Sequence, residues 1–228
     1  MYYIGCTKEL TWGNVLKMTS DRPESGQILD LATSLMDRAK FTDAISALEK
    51  AASIDPKNRL IWERVVICNL ELKRPKKALE AMDSILTLEP NAYKVWAEKA
   101  YLHLLLQEDS EGIKALMNSI RLNPRNQRDW FLLGSVYMAM ELWDESRDAF
   151  HIALQLNPNH AETWYNLATV NYMLGDMGAA LGAAEQATGL DPEIDKRSED
   201  WFDDLRSEYD ILGLDDDTEI SGDLAAGS

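Results

Sequence analysis

The chain has 228 residues, 46% of them apolar and 27% charged, and a formal net charge of −16. This is the composition of a soluble globular protein long enough to bury a sizeable core, and no apolar run reaches the roughly 18 residues of a membrane span. An acidic chain without a basic stripe argues against nucleic acid and anionic membrane surfaces as partners, and two cysteines, Cys6 and Cys68, argue against a disulfide framework and for a reducing cytoplasm.

In chain order, the start MYYIGCTKELTWGNVLK has neither a basic leader nor a continuous apolar stretch, so no signal peptide is expected. From Pro56 onward the sequence is periodic. Pro56, Pro90, Pro124, Pro158 and Pro192 recur every 34 residues, and so do Trp62, Trp96, Trp130 and Trp164. Units closed by each Pro run 25–58, 59–92, 93–126, 127–160 and 161–194. Position four of a unit holds Ile28, Trp62, Trp96, Trp130 and Trp164. Position eight holds Ala32, Val66, Ala100, Gly134 and Ala168; position 20 holds Ala44, Ala78, Gly112, Ser146 and Ala180.

Both halves of a unit have helical apolar spacing. In the last unit Trp164, Leu167, Ala168 and Tyr172 form one face, LGD at 174–176 breaks the pattern, and Ala180, Ala184 and Ala187 begin a second face. Each unit is therefore predicted to be a helical hairpin. The small residues at positions eight and 20 let the two helices approach closely, and the Trp is expected to fill the space between them. Pro lacks an N–H and disfavours helical geometry in its predecessor, so Glu89 or Asn157 ends a helix and the chain turns.

A stack of hairpins exposes an apolar face at each end unless something covers it. Residues 1–24 are read as an N-terminal cap segment: 7–20 falls where a preceding second helix would sit, with Trp12, Val15 and Leu16 as its apolar side and Pro23 one residue out of register. At the other end 195–214 is read as a capping helix. Ser198 is its N-cap, acidic residues fill its first turn, and Gly213 is its stop. Trp201, Leu205, Tyr209 and Leu212 are its stripe. From Glu193 to Ser228 there are 13 acidic and 3 basic residues, and 215–228 is expected to be an acidic disordered tail.

Residues capable of catalysis are few. His103, His151 and His160 have no Cys or His at metal-ligand spacing, and no phosphate-cradling Gly-rich loop or Gly-x-Ser-x-Gly elbow is present. Carboxylates are plentiful, but nothing in the sequence pairs two of them in a protected pocket. The chain is read as not an enzyme, with no metal and no cofactor.

The pattern Trp, Leu-Gly, Tyr, Ala, Phe, Ala, Pro over 34 residues resembles the tetratricopeptide repeat. Residues 161–192 and 127–158 carry it most fully, the latter with Trp130, Leu133, Gly134, Tyr137, Phe150, Ala153 and Pro158 in place. The first unit has Ile28 for the Trp; the third has Lys99, His103 and Gly112 for the Leu, Tyr and Ala. The resemblance implies an all-α fold: a right-handed α-solenoid, or superhelix, of five hairpins with N- and C-terminal capping helices. It also implies a cytoplasmic adaptor or scaffold that binds a peptide or helix of a partner protein in a concave groove lined by the first helices.

Carried onto the last three units, the groove positions give Lys94, Tyr101, Arg128, Phe131, Tyr165, Asn166 and Tyr172 as partner-binding residues. Tyr101, Phe131, Tyr165 and Tyr172 are the apolar anchors; Lys94 and Arg128 could hold a carboxylate. The carboxylate clamp of chaperone-binding members has no counterpart, since its positions hold Leu29, Thr33, Arg64, Lys94 and Glu98, and later starts fit no better. The alternative reading is a self-assembling homo-oligomer that uses end faces or the groove.

Overall fold

A computed structural model describes residues 24–194 and 201–211. Within them lie eleven helices and no strand: α1 (Glu24–Asp37), α2 (Phe41–Ile54), α3 (Arg59–Glu71), α4 (Pro75–Leu88), α5 (Tyr93–Leu105), α6 (Asp109–Leu122), α7 (Gln127–Ala139), α8 (Trp143–Leu156), α9 (Ala161–Met173), α10 (Met177–Leu190) and α11 (Trp201–Ile211). The cap assigned to 1–24 falls outside the described residues but for Glu24, as do Ser198, Leu212, Gly213 and the acidic tail. The chain divides into two compact units between Leu102 and His103, inside α5. In the first, α1 packs on α2 and α3 on α4; in the second, α7 packs on α8 and α9 on α10. The third sequence unit straddles the division.

The helix breaks follow from backbone chemistry. Each residue before a repeat Pro has left the helical region, with φ −134° and ψ 80° at Glu89 and φ −142° and ψ 91° at Asn157. Within each hairpin sequence, position 15 is left-handed: Ala39, Lys73, Gln107, Glu141 and Gly175 have φ between 55° and 79°. Only the last is the glycine this conformation favours. The turn is held by the next N–H reaching back to the carbonyl four residues before the left-handed one, as in Arg74 N–H to Asn69 O (2.8 Å) and Asp176 N–H to Asn171 O (2.9 Å). This is the six-residue closure of a Schellman turn.

All four repeat Trp residues are half-buried, and Trp164 packs against the core of the second unit. Each indole N–H also needs a polar partner. It finds one in the carbonyl of the Pro six residues earlier: Trp62 to Pro56 (2.9 Å), Trp96 to Pro90 (3.0 Å), Trp130 to Pro124 (2.9 Å) and Trp164 to Pro158 (2.8 Å). The buried residue is the one before the Trp, namely Ile61, Val95, Asp129 and Thr163.

The core of the first unit joins Leu29, Ala32, Ala44, Leu48, Ala51, Ile61 and Cys68. That of the second centres on Phe150, Leu154, Leu167, Ala168, Val170 and the alanines of α10, and continues into Ile194, Phe202 and Leu205. Thus α11 buries Phe202 and Leu205, three residues apart, while Trp201 and Tyr209 are half-buried. Phe202 was missing from the expected stripe.

Position eight shows why a small residue is required. A Cβ on Gly134 would lie 2.6 Å from Phe150 Cε1, a ring with no exposed surface, and Ser146 Oγ donates to Gly134 O at 2.8 Å in the same buried crossing. In the first hairpin the same two positions are Ala32 and Leu48. Gly134→Ala is therefore expected to destabilise the chain by about 1–3 kcal/mol through overpacking. Adding Phe150→Leu to that variant should recover part of the loss in a denaturant titration; two losses that simply add would contradict the size match.

Candidate functional site

The expected partner-binding residues divide between the units. On α5, Lys94 is exposed and Tyr101 is 44% exposed. In the second unit Arg128 is exposed at the start of α7, and Phe131, Tyr165, Asn166 and Tyr172 are half-buried. The three rings there already have partners within the chain. Phe131 lies 6.1 Å from Phe150 and edge-on to His160 at 5.1 Å. Tyr165 meets Trp201 at 6.1 Å and Phe202 at 5.4 Å, and Tyr172 stands at 87° to Trp201 at 5.9 Å. Tyr172 also donates its hydroxyl to Glu208 at 3.4 Å. Edge-to-face geometry at these separations is attractive for aromatic pairs. So α11 is laid against two of the anchors that the sequence assigned to a partner.

The first unit offers a different surface. On α3, Leu60, Ile67 and Leu70 are between 41% and 46% exposed. Their spacing of seven and three residues puts them on one face of the helix. Leu60, Ile67 and Leu70 occupy positions two, nine and 12 of the second repeat; Tyr101 on α5 is position nine of the third. The sequence reading put the groove in the last three repeats and passed over α3. The signal was present in the same positions one repeat earlier. Arg64 lies on this helix too, with a buried Nε that has no hydrogen-bond partner, and Arg59 pairs with Glu63 (2.7 Å) and with Glu89.

Several other polar groups serve the scaffold. His160 caps α9, its Nδ1 accepting from Thr163 N–H at 3.3 Å. That leaves the ring proton on Nε2 in the neutral form. His103 bonds Glu108 at 2.8 Å across the α5–α6 turn. Cys68 is fully buried, and burial pushes its thiol pKa up, away from the thiolate a nucleophile needs. Among the described residues no three His, Cys, Asp or Glu side chains gather closely enough to hold a metal ion, and no helix is long and apolar enough to cross a membrane.

Among the described residues Asp129 is the one carboxyl in the core, 1% exposed. Its Oδ2 accepts from Ser119 Oγ at 2.6 Å, while Oδ1 is buried without a partner. Desolvation raises its pKa above the ordinary 3.8, outweighing the hydrogen bonds from Ser119 and Asn126 and the charge of Arg128. A lone buried acid of this kind has no second group with which to divide acid and base roles.

Family models described as tetratricopeptide repeat match residues 35–100 and 131–193. No curated protein matches the sequence. Among solved structures, MamA is similar over 75% of this chain and 94% of its own, with 19% identity and a TM-score of 0.66. MamA from Desulfovibrio magneticus RS-1 (its residues from 41 onward) gives 18% identity, 75% and 97% coverage and 0.64. YrrB, a TPR protein with an unusual peptide-binding site, gives 15%, 78% and 92%, and 0.65. At these identities the likeness is one of fold.

The raised pKa of Asp129 carries a sign. The folded state binds the proton more tightly than the unfolded chain, so this group's contribution is full below pH 3.8 and is lost as pH rises through the folded value. Asp129→Asn keeps an acceptor for Ser119 and removes the titration. Its stability relative to the parent should rise with pH through that window and then level off. Parallel pH profiles for the two proteins would contradict a buried, proton-retaining carboxyl.

Proposed function

Because this chain belongs to the tetratricopeptide-repeat family, we propose that it is a non-catalytic adaptor or assembly scaffold that holds a peptide or helix of a partner protein on its first-helix faces. The observation that carries this reading is the apolar stripe Leu60, Ile67 and Leu70 on α3, with Tyr101 on α5 at the same repeat position as Ile67. Four large apolar side chains that stay more than two-fifths exposed keep apolar surface in water, and burial against a partner is what they gain from. An apolar helix face or an extended peptide is the matching ligand, with Lys94 placed to meet a carboxylate beside it. YrrB, named for an unusual peptide-binding site, supports peptide binding by this fold.

In the second unit the proposed contact positions are Arg128, Phe131, Tyr165, Asn166 and Tyr172. There the half-buried rings of α9 and α11 form a joint aromatic surface, so a partner would meet Trp201 together with Tyr165 and Tyr172. Rigid rings provide contact area at low entropic cost.

Capture from a lysate of the source organism on immobilised protein, with two variant columns beside it, tests the reading. Ile67→Glu with Leu70→Glu should lose the retained partner while circular dichroism stays unchanged, since both side chains are exposed. Tyr165→Ala with Tyr172→Ala should weaken retention by about tenfold, on the scale of losing one or two interface anchors. Equal retention on all three columns would remove both faces from the site.

A further inference from the structure

The first unit contains a cavity of about 390 Å³ that the first-helix reading does not use. It lies on the other side of the repeat, between second helices α2 and α4 and over α3. Its walls include Ala52 from α2, Trp62, Val65 and Asn69 from α3, and Arg74 and Lys77 from the turn into α4. Antiparallel packing of α3 on α4 sets Lys77 alongside Asn69 and leaves Trp62 at the far end. One end of the cavity is therefore cationic and the other apolar.

The cavity exists because two side chains are small. In the second unit the equivalent repeat positions are Leu154 and Leu167, both buried in its core. Here they are Ala52 and Val65, both half-buried. The missing volume is not made up by neighbours, which is how a cavity survives in a packed fold.

Two further observations give this cavity a polarity. Asn69 is 3% exposed, and its Nδ2 donates to Val65 O at 2.9 Å, but its Oδ1 is buried without a partner. A buried amide oxygen left open is costly unless a donor arrives. The basic run Lys73, Arg74, Lys76, Lys77 sits at the N-terminus of α4, the end where a helix dipole disfavours cations. Other second helices carry acids there, Asp43 in α2, Asp109 and Glu111 in α6, and Asp144 and Glu145 in α8. Among the described residues no ion pair engages Arg74 or Lys77. Glu49 and Glu80 also line the cavity, nearer its middle, so a ligand carboxylate is directed to the Arg74–Lys77 end.

We propose that this cavity binds an acidic segment carrying an aliphatic side chain, and that its occupant is residues 214–228 of a second copy of the chain. That stretch, LDDDTEISGDLAAGS, has five acids and no base, with Leu214, Ile220 and Leu224 as aliphatic groups. Its carboxylates complement the four cations of 73–77. A backbone N–H supplies the donor Asn69 Oδ1 lacks, and an aliphatic side chain fills the space left by Ala52 and Val65. The result is head-to-tail contact between copies, independent of the first-helix surface.

The test uses the full chain and a labelled synthetic peptide of residues 214–228, with sedimentation to follow mass. The peptide should bind, its affinity should fall by about tenfold in Arg74→Glu with Lys77→Glu, and it should weaken with added salt. The chain should gain mass with concentration, and the charge-reversed variant should not. Ala52→Leu, which restores the volume found at Leu154, should also weaken peptide binding, whereas Lys114→Glu on α6 should leave it unchanged. Equal peptide affinity for the parent and the charge-reversed variant would overturn the site. Peptide binding without any concentration-dependent mass would overturn the second copy as its occupant.

Discussion

A single hydrogen bond recurs at every described joint where a Trp follows a Pro: the indole N–H of the new helix donates to the carbonyl of the Pro that closed the old one, at 2.8 to 3.0 Å. The Pro contributes twice. Its missing N–H and its ring keep the preceding residue out of the helical conformation, and its carbonyl, free of any helix ladder, is left for the indole. The Trp in turn covers the turn with its ring while meeting its one polar requirement. A joint built this way is copied with the sequence, which is how a repeat protein obtains the same neighbour geometry at successive positions.

With the joints fixed, variation at a few other positions decides what each repeat presents. Phe150 fills the space that Gly134 vacates, so that hairpin is closed at this crossing. Ala52 and Val65 leave space where Leu154 and Leu167 fill it, so the first unit has an open cavity there. The same logic separates α3 from α9. The α3 stripe is exposed, whereas Tyr165 and Tyr172 on α9 have Trp201 against them. Function in such a fold belongs to these departures from the repeat and not to the repeat itself.

Much of the fold was legible because its signals are local. The Pro register, the small residues at positions eight and 20 and the helical spacing all act over a few residues, and they placed the helices. A turn residue was visible at Gly175 but not at Ala39, Lys73, Gln107 and Glu141, where the backbone closure of the turn holds a conformation these residues do not favour. Asp129 in the core was illegible for a related reason: its burial depends on Ser119 of the preceding helix. The site was harder still. Composition could nominate aromatic residues at groove positions, but only packing reveals that Phe131 leans on Phe150, that Phe202 is buried against Tyr165, or that Asn69 has an open oxygen.

Hydrogen exchange of the indole N–H groups, followed by heteronuclear NMR on the full chain, addresses the repeated joint directly. Trp62, Trp96, Trp130 and Trp164 should exchange several-fold more slowly than Trp143, whose indole has no hydrogen-bond partner among the described residues, since a bonded N–H must open before it exchanges. Exchange of all five at the rate of a free indole would mean that the Trp-to-Pro bonds do not hold the joints, and that the order of the hairpins has another source.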